Sequence, residues 1–228
     1  MIKTVIFDVD NTLYSYTEAH KAAFGALTAY AEEKLGLSQE DFEKLHQDTE
    51  KELRAYMGNV AALHNRCIRY QVMLERRGVS LYPHVLKMNH LYWERLLKAA
   101  EPSAGALDTI KALKGQGIRI GIGTDMTARV QFLKLETLGI LPYVDFLVSS
   151  EEAGAEKPEQ AFFARCVEKA GCGADECLFV GDNLTKDVLG AMDAGLHGVW
   201  YCPEGAGKTA DVLQITELLQ LLEKMAIW

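Results

Sequence analysis

The chain lacks most of the features that would take it out of the ordinary soluble enzymes. Its five cysteines, Cys67, Cys166, Cys172, Cys177 and Cys202, are odd in number and form no C-x-x-C pair, which argues against a disulfide framework and a thiolate zinc site. It has no Lys/Arg-rich block: 24 basic side chains against 32 acidic ones leave a net charge of −8, so a nucleic-acid partner is disfavoured. No long apolar run is present. The stretch from Met1 to Phe7 is too short for a signal peptide or a membrane span, and a reducing cytoplasm is the expected location, with no membrane partner. Two nucleotide-binding patterns are incomplete. The run Gly205-Ala-Gly-Lys-Thr209 has Cys202 where a phosphate loop needs its first glycine, and Gly121-Ile-Gly123 has Met126 where a dinucleotide fingerprint needs its third. Internal repeats and low-complexity segments are also missing.

What is present is the patterning of an α/β protein. The 228 residues, 49% hydrophobic and 25% charged, suffice for a large core. Val5-Ile6-Phe7 is a short β-branched and aromatic run of the kind buried in a parallel sheet. Similar runs follow at Ile118–Ile122, Val144–Val148, Cys177–Val180 and Gly198–Tyr201. Helical patterns lie between or after them at Thr127–Leu138, at Glu159–Ala170 behind Pro158, and at Asp211–Lys224. This alternation predicts a Rossmann-like parallel sheet wound by right-handed crossovers.

Between the first two strands the pattern changes. Residues 14–101 show helical periodicity and no strand, with helices expected near Thr17–Lys34, after Ser38 with Asp41 completing a capping-box pattern, around Val60–Arg77 and around His84–Ala99. Four helices suffice for a small bundle, so the expected organisation is a core of residues 1–13 and 102–228 carrying an inserted four-helix cap domain, with Pro102-Ser103 marking the return.

In open α/β sheets the ligand lies beyond the carboxyl ends of the strands, so the polar residues there belong together. The first strand ends in Asp8 and Asp10, the second in Thr124, the stretch after the third carries Lys157, and the fourth ends in Asp182 with Asp187 five residues on. Two carboxylates about 4 Å apart repel by roughly 4 kcal/mol at an effective dielectric near 20, so such a cluster calls for a cation. Hard oxygen donors without histidine or cysteine favour Mg²⁺, and an anionic small molecule would find its local cation in Lys157.

These elements, Asp8-Val-Asp10-Asn11-Thr12, Thr124, Lys157-Pro158 and Gly181-Asp182 with Asp187, resemble the four ordered motifs of the haloacid dehalogenase-like hydrolase superfamily. The cap insertion falls where its helical type carries one. The resemblance implies a nucleophilic Asp8 that forms an aspartyl-phosphate, and an Asp10 that protonates the leaving oxygen and then activates water. It implies phosphate binding by Thr124, Lys157 and the backbone N–H of Asp125 at the next helix start, with Mg²⁺ held by Asp8, the Asp10 carbonyl and Asp182, and Asp187 behind a metal-bound water. Asn11 stands where glycine is frequent and tolerates a left-handed turn. An acid at Asp10 is needed for an oxygen leaving group and not for a halide, which favours phosphate transfer over dehalogenation. The segments Thr124–Ile140, Glu151–Pro158 and Gly181–Val188 further resemble bacterial nucleoside 5′-monophosphate phosphatases and acylneuraminate-9-phosphatases.

The expectation is a phosphomonoesterase for a small phosphorylated metabolite. A phosphomutase and a non-catalytic binding protein of the same fold stand as alternatives. Tyr14, Tyr16 and His20 read chiefly as packing at the start of the cap, His64, His84 and His90 show no metal spacing, and Glu151-Glu152 reads as a solvated loop.

Overall fold

The structure, a computed structural model, describes residues 1–205 and 212–227. It divides into two compact units, one of Met1–Ser15 with Glu101–Trp228 and one of Tyr16–Ala100.

The first unit is built on a six-stranded parallel sheet. Its strands are β1 (Thr4–Phe7), β2 (Arg119–Thr124), β3 (Phe146–Ser149), β4 (Cys177–Gly181), β5 (His197–Tyr201) and β6 (Leu213–Ile215), in the order β3-β2-β1-β4-β5-β6. This is the expected Rossmann-like α/β core with one strand more than expected. β1 and β4 are buried along their whole length, as befits central strands covered on both faces. Register matters more than strand count for the site. Phe7 lies level with Val180 on one side and Ile122 on the other, so the residues after β1 and β4 emerge side by side. The chain runs outward from β1 through β2 to β3 and then crosses back to β4, which makes the gap between β1 and β4 the switch point where open sheets bind ligands.

Helices α5 (Ala106–Gly115), α6 (Ala128–Thr137), α7 (Ser150–Ala153) and α8 (Gln160–Ala170) link the strands. Phe162 and Phe163 of α8 are fully buried, and Phe163 meets Phe179 of β4 edge-on with ring centroids 5.4 Å apart. Gly123 is required here, because a Cβ at that position would collide with the Phe179 ring and with Ile6.

The second unit contains four α-helices, α1 (Tyr16–Leu35), α2 (Gln39–Met57), α3 (Arg66–Arg76) and α4 (His84–Ala99). The first and last pack together through a row of small residues, Ala19, Ala23 and Ala31 with Leu27, against Met88, Tyr92 and Leu96. Spacing of four residues on each puts these side chains on one face. Ser38 caps the second helix by accepting the Asp41 N–H at 3.1 Å, while the Asp41 carboxylate accepts from the Ser38 hydroxyl at 2.8 Å.

Several local expectations change. The helix expected over Asp211–Lys224 is a strand at Leu213–Ile215 followed by a short helix at Gln220–Lys224; Asp211 lies outside the described residues. The segment is captured by β5, with Val199, Trp200 and Tyr201 paired to Leu213, Gln214 and Ile215. The glycine-rich run 205–209 falls mostly outside the described residues. The third cap helix divides into a 3₁₀ turn at Ala61–His64 and the helix Arg66–Arg76, because Asn65 caps the latter by accepting the Cys67 N–H at 3.0 Å. The N-cap of α5 is Gly105, at φ 75°. Glu151-Glu152 is no loop: it lies in α7, where Glu152 pairs with Arg165 and Lys169 and Glu151 accepts the Ala128 N–H.

Candidate active site

The site is assembled by short turns at the ends of the central strands. β1 delivers Asp8, whose N–H still pairs with the Val180 carbonyl at 2.9 Å, and the chain then folds back so that Leu13 N–H reaches the Val9 carbonyl at 3.0 Å. Asn11 makes that turn with φ 59°, the one positive φ outside glycine among the described residues. The turn leaves Asp8 buried and lifts Asp10 to a half-buried position.

Lys157 lies at the centre. Its Nζ, 4% exposed, donates to Asp8 Oδ1 at 2.6 Å and pairs with Asp187 Oδ1 at 2.7 Å. Backbone contacts fix the loop that carries it, because the Asp125 carboxylate accepts the Lys157 N–H at 2.9 Å and is itself paired with Lys186 at 3.0 Å. Asp187 rides on a wide helical turn, Leu184–Leu189, and its Oδ2 accepts the Asn183 N–H at 2.9 Å. Gly181 is essential to this approach, since a Cβ there would overlap the Asp187 carboxyl group. Oxygens of Asp8, Asp182 and Asp187 lie within 4.8 Å of one another. Behind them the Trp200 indole N–H donates to the Asp182 carbonyl at 2.8 Å.

The second cation of the site is Lys134, fully buried on α6. Its Nζ donates to both oxygens of Asp10, at 2.6 and 2.9 Å, and the Tyr14 hydroxyl donates to Asp10 at 2.5 Å. Gln131, one turn earlier on α6, donates to Asp10 at 3.2 Å and to Thr124 Oγ1 at 2.6 Å. The Thr124 hydroxyl thus accepts from protein and keeps its own proton for an incoming acceptor.

The two aspartates after β1 therefore have opposite environments. Burial raises the pKa of Asp8 well above the usual carboxylate range; Lys157 opposes this and the neighbouring Asp187, Asp10 and Asp182 add to it. Burial also works to raise Asp10, but Lys134 and the hydrogen bonds from Lys134, Tyr14 and Gln131 outweigh it, so Asp10 ends below the usual value. Burial, then Asp187, pushes Asp182 up to about 6. For Lys157 burial favours the neutral amine, yet Asp187, Asp8 and Asp125 hold it as an ammonium. With all four ionised, the carboxylates of Asp8, Asp10, Asp182 and Asp187 face two ammonium groups, and the two negative charges in excess, whose repulsion helps raise Asp8 and Asp182, are what a divalent cation would balance. The donors are oxygen only, which fits a hard cation such as Mg²⁺.

A family profile described as haloacid dehalogenase-like hydrolase matches residues 2–195. The chain belongs to this family. Among curated relatives of this hydrolase, a ribulose-1,5-bisphosphate 5-phosphatase from Halopiger xanaduensis is 35% identical over 206 residues, covering 89% of this chain and 86% of that one. The pyrimidine 5′-nucleotidase YjjG of Escherichia coli is 31% identical, covering 96% and 97%. Among solved structures, a 2-haloacid dehalogenase from Pseudomonas syringae superposes with a TM-score of 0.79 at 26% identity over the full length of both chains.

In this hydrolase the residues singled out by sequence gather as one cluster, with two adjustments. Asp125 is not at a helix start: α6 begins at Ala128, and Asp125 occupies the bend before it, where its carboxylate buttresses Lys157 and Lys186. Tyr14 is more than packing, since it bonds Asp10 directly. Tyr16 and His20 belong to the helical unit. Of the other histidines, His84 bonds the Tyr30 hydroxyl at 2.7 Å and His90 lies 3.9 Å from Glu94. The sequence reading missed Lys134 and Gln131. A signal was present, because Gln131, Lys134 and Leu135 follow the i, i+3, i+4 spacing of a buried helix face, where a lysine and a glutamine are out of place unless paired.

Among the described residues no helix is long and apolar enough to cross a membrane.

Proposed function

We propose that this hydrolase is a cytoplasmic, Mg²⁺-dependent phosphomonoesterase whose Asp8 attacks the phosphorus of a small phosphorylated metabolite, with residues 1–13 and 102–228 as the catalytic core and 14–101 as the cap. The observation that carries the reading is the Asp8–Lys157–Asp187 contact, at 2.6 and 2.7 Å, with Asp182 beside it and Asp10 on a separate hydrogen-bonded mount.

Asp8 forms an oxygen–phosphorus bond as the ester P–O bond breaks, and Asp10, ionised at rest and loaded with a proton from solvent when the substrate binds, gives that proton to the leaving oxygen. Water then attacks the aspartyl-phosphate, Asp10 takes the proton from that water, and inorganic phosphate departs with Asp8 restored. Lys157 aims the Asp8 carboxylate and faces the phosphoryl oxygens, to which the Thr124 hydroxyl and the Asp125 N–H also donate. Mg²⁺, held by Asp8, Asp182 and the Asp10 carbonyl with Asp187 behind a bound water, would neutralise charge on the transferring group. Asp10 argues against the halide chemistry of the dehalogenase neighbour, because halide leaves without a proton. The relatives' substrates support sugar phosphates and pyrimidine nucleotides as the classes to test first.

A phosphate-release screen over nucleoside 5′-monophosphates, sugar phosphates and phosphorylated acids tests this. Release is expected with Mg²⁺, to be lost on chelation and in Asp8→Asn. Undiminished release from Asp8→Asn would remove Asp8 from the chemistry.

A further inference from the structure

The helical unit buries two arginines on one face of the Arg66–Arg76 helix, and their charges are balanced unequally. Arg66, Arg69 and Tyr70 follow the i, i+3, i+4 spacing that puts side chains together, and their exposures are 5%, 6% and 0%. Arg69 reaches Glu50 at 3.2 Å. Arg66 has no carboxylate partner among the described residues. Its Nη2 donates to the hydroxyls of Tyr16 and Tyr92 at 3.0 and 2.5 Å, and its guanidinium lies over the Tyr92 ring, 3.5 Å from the centroid.

The donors left over point to a ligand. Arg66 Nε and Nη1, Arg69 Nε and the Tyr70 hydroxyl are all buried without a hydrogen-bond partner. A cation–π contact offsets only part of the cost of burying a guanidinium, and unpaired buried donors add to that cost. The neighbours confirm the sign of the local field. Burial, then Arg66 and Arg69, lowers the pKa of His20 to about 4, and burial, then Arg69 and Arg66, lowers that of His46 to about 3. Both imidazoles are therefore neutral and accept, His20 Nδ1 from the Tyr92 hydroxyl at 2.7 Å and His46 Nε2 from Arg69 at 3.5 Å. Two cations, one carboxylate and four unspent donors make a site one negative charge short.

We infer that Arg66, with Arg69 and Tyr70, binds a small oxyanion, a phosphate or carboxylate group, in the helical unit. The Arg66 Nε–H and Nη1 hydrogens, on opposite sides of the guanidinium, and the Arg69 Nε–H are unspent donors of the kind that phosphate and carboxylate oxygens accept from. Tyr16, which accepts from Arg66, and His20 are both half-buried. The group is carried by a free anion of that class, inorganic phosphate or a simple carboxylate.

The test uses the full chain with ¹⁵Nε-labelled arginine, the Arg66 and Arg69 resonances being assigned by Arg66→Lys and Arg69→Lys. Inorganic phosphate and acetate are titrated in separate arms. A saturable shift of the Arg66 Nε–H is expected; no movement of either arginine resonance up to tens of millimolar of both anions overturns the site. Slow exchange with D₂O sets the two buried Nε–H resonances apart from those of exposed arginines, so the wild-type titration stays decisive where a variant fails to fold.

Discussion

The Lys134–Asp10 pair offers the sharpest energetic test of how the site is built. Lys134 is fully buried and meets both Asp10 oxygens at 2.6 and 2.9 Å, while the Asp10 side chain is 24% exposed. Removing one member of a buried ion pair costs about 3–5 kcal/mol, chiefly because the other charge is left behind. In Lys134→Met, Tyr14 and Gln131 still donate to Asp10, which puts the expected loss near the lower end, about 3 kcal/mol. At about 2–4 °C per kcal/mol for a chain of this size, the melting temperature should fall by about 6–12 °C. Asp10→Asn removes the carboxylate that faces the buried ammonium and should cost a similar amount, whereas the double variant removes both charges. Thermal and urea unfolding of the four proteins gives the coupling, expected at about 2–3 kcal/mol. An additive cycle, or a Lys134→Met protein within about 0.5 kcal/mol of wild type, would refute the argument that this lysine holds Asp10 in place.

Three further outcomes follow from the geometry. Gly181→Ala should push the Asp187 carboxyl away from Lys157 and lower kcat on the order of a hundredfold, read by phosphate release at saturating substrate. Saturating Mg²⁺, at about a hundred times its dissociation constant, should contribute about 2.7 kcal/mol and raise the melting temperature by about 5–10 °C; Asp182→Asn should abolish the rise. His46, held neutral in the fold with a pKa of about 3 against 6.5 unfolded, contributes stability that is complete above pH 6.5 and is lost as pH falls toward 3, because only the unfolded chain takes up the proton. In His46→Gln the loss of stability below pH 6.5 should be shallower by a few kcal/mol in total, measured by urea unfolding across that range.

Much of this site can be read from sequence because strand-end chemistry is local: an apolar run of β-branched and aromatic residues followed by Asp8 and Asp10 carries both the strand and its terminal carboxylates. Lys157 and Asp182 were found in the same way. The elements that escaped depend on partners far along the chain. Leu213–Ile215 is helical by its surroundings and becomes a strand only because β5 offers a free edge. Lys134 and Gln131 look like the solvated face of an amphipathic helix until Asp10, more than 120 residues earlier, is placed against them. Arg66 and Arg69 follow the same logic, being polar residues at core spacing, and there the partner group supplied by the protein is incomplete.

The central claim is that Asp8 carries the phosphoryl group. Acid quench within a single turnover, followed by peptide mass spectrometry, should find the phosphoryl adduct on the peptide containing Asp8 in the presence of Mg²⁺ and in no other peptide. Turnover that proceeds with Asp8 never modified, or unimpaired in Asp8→Asn, would contradict the account.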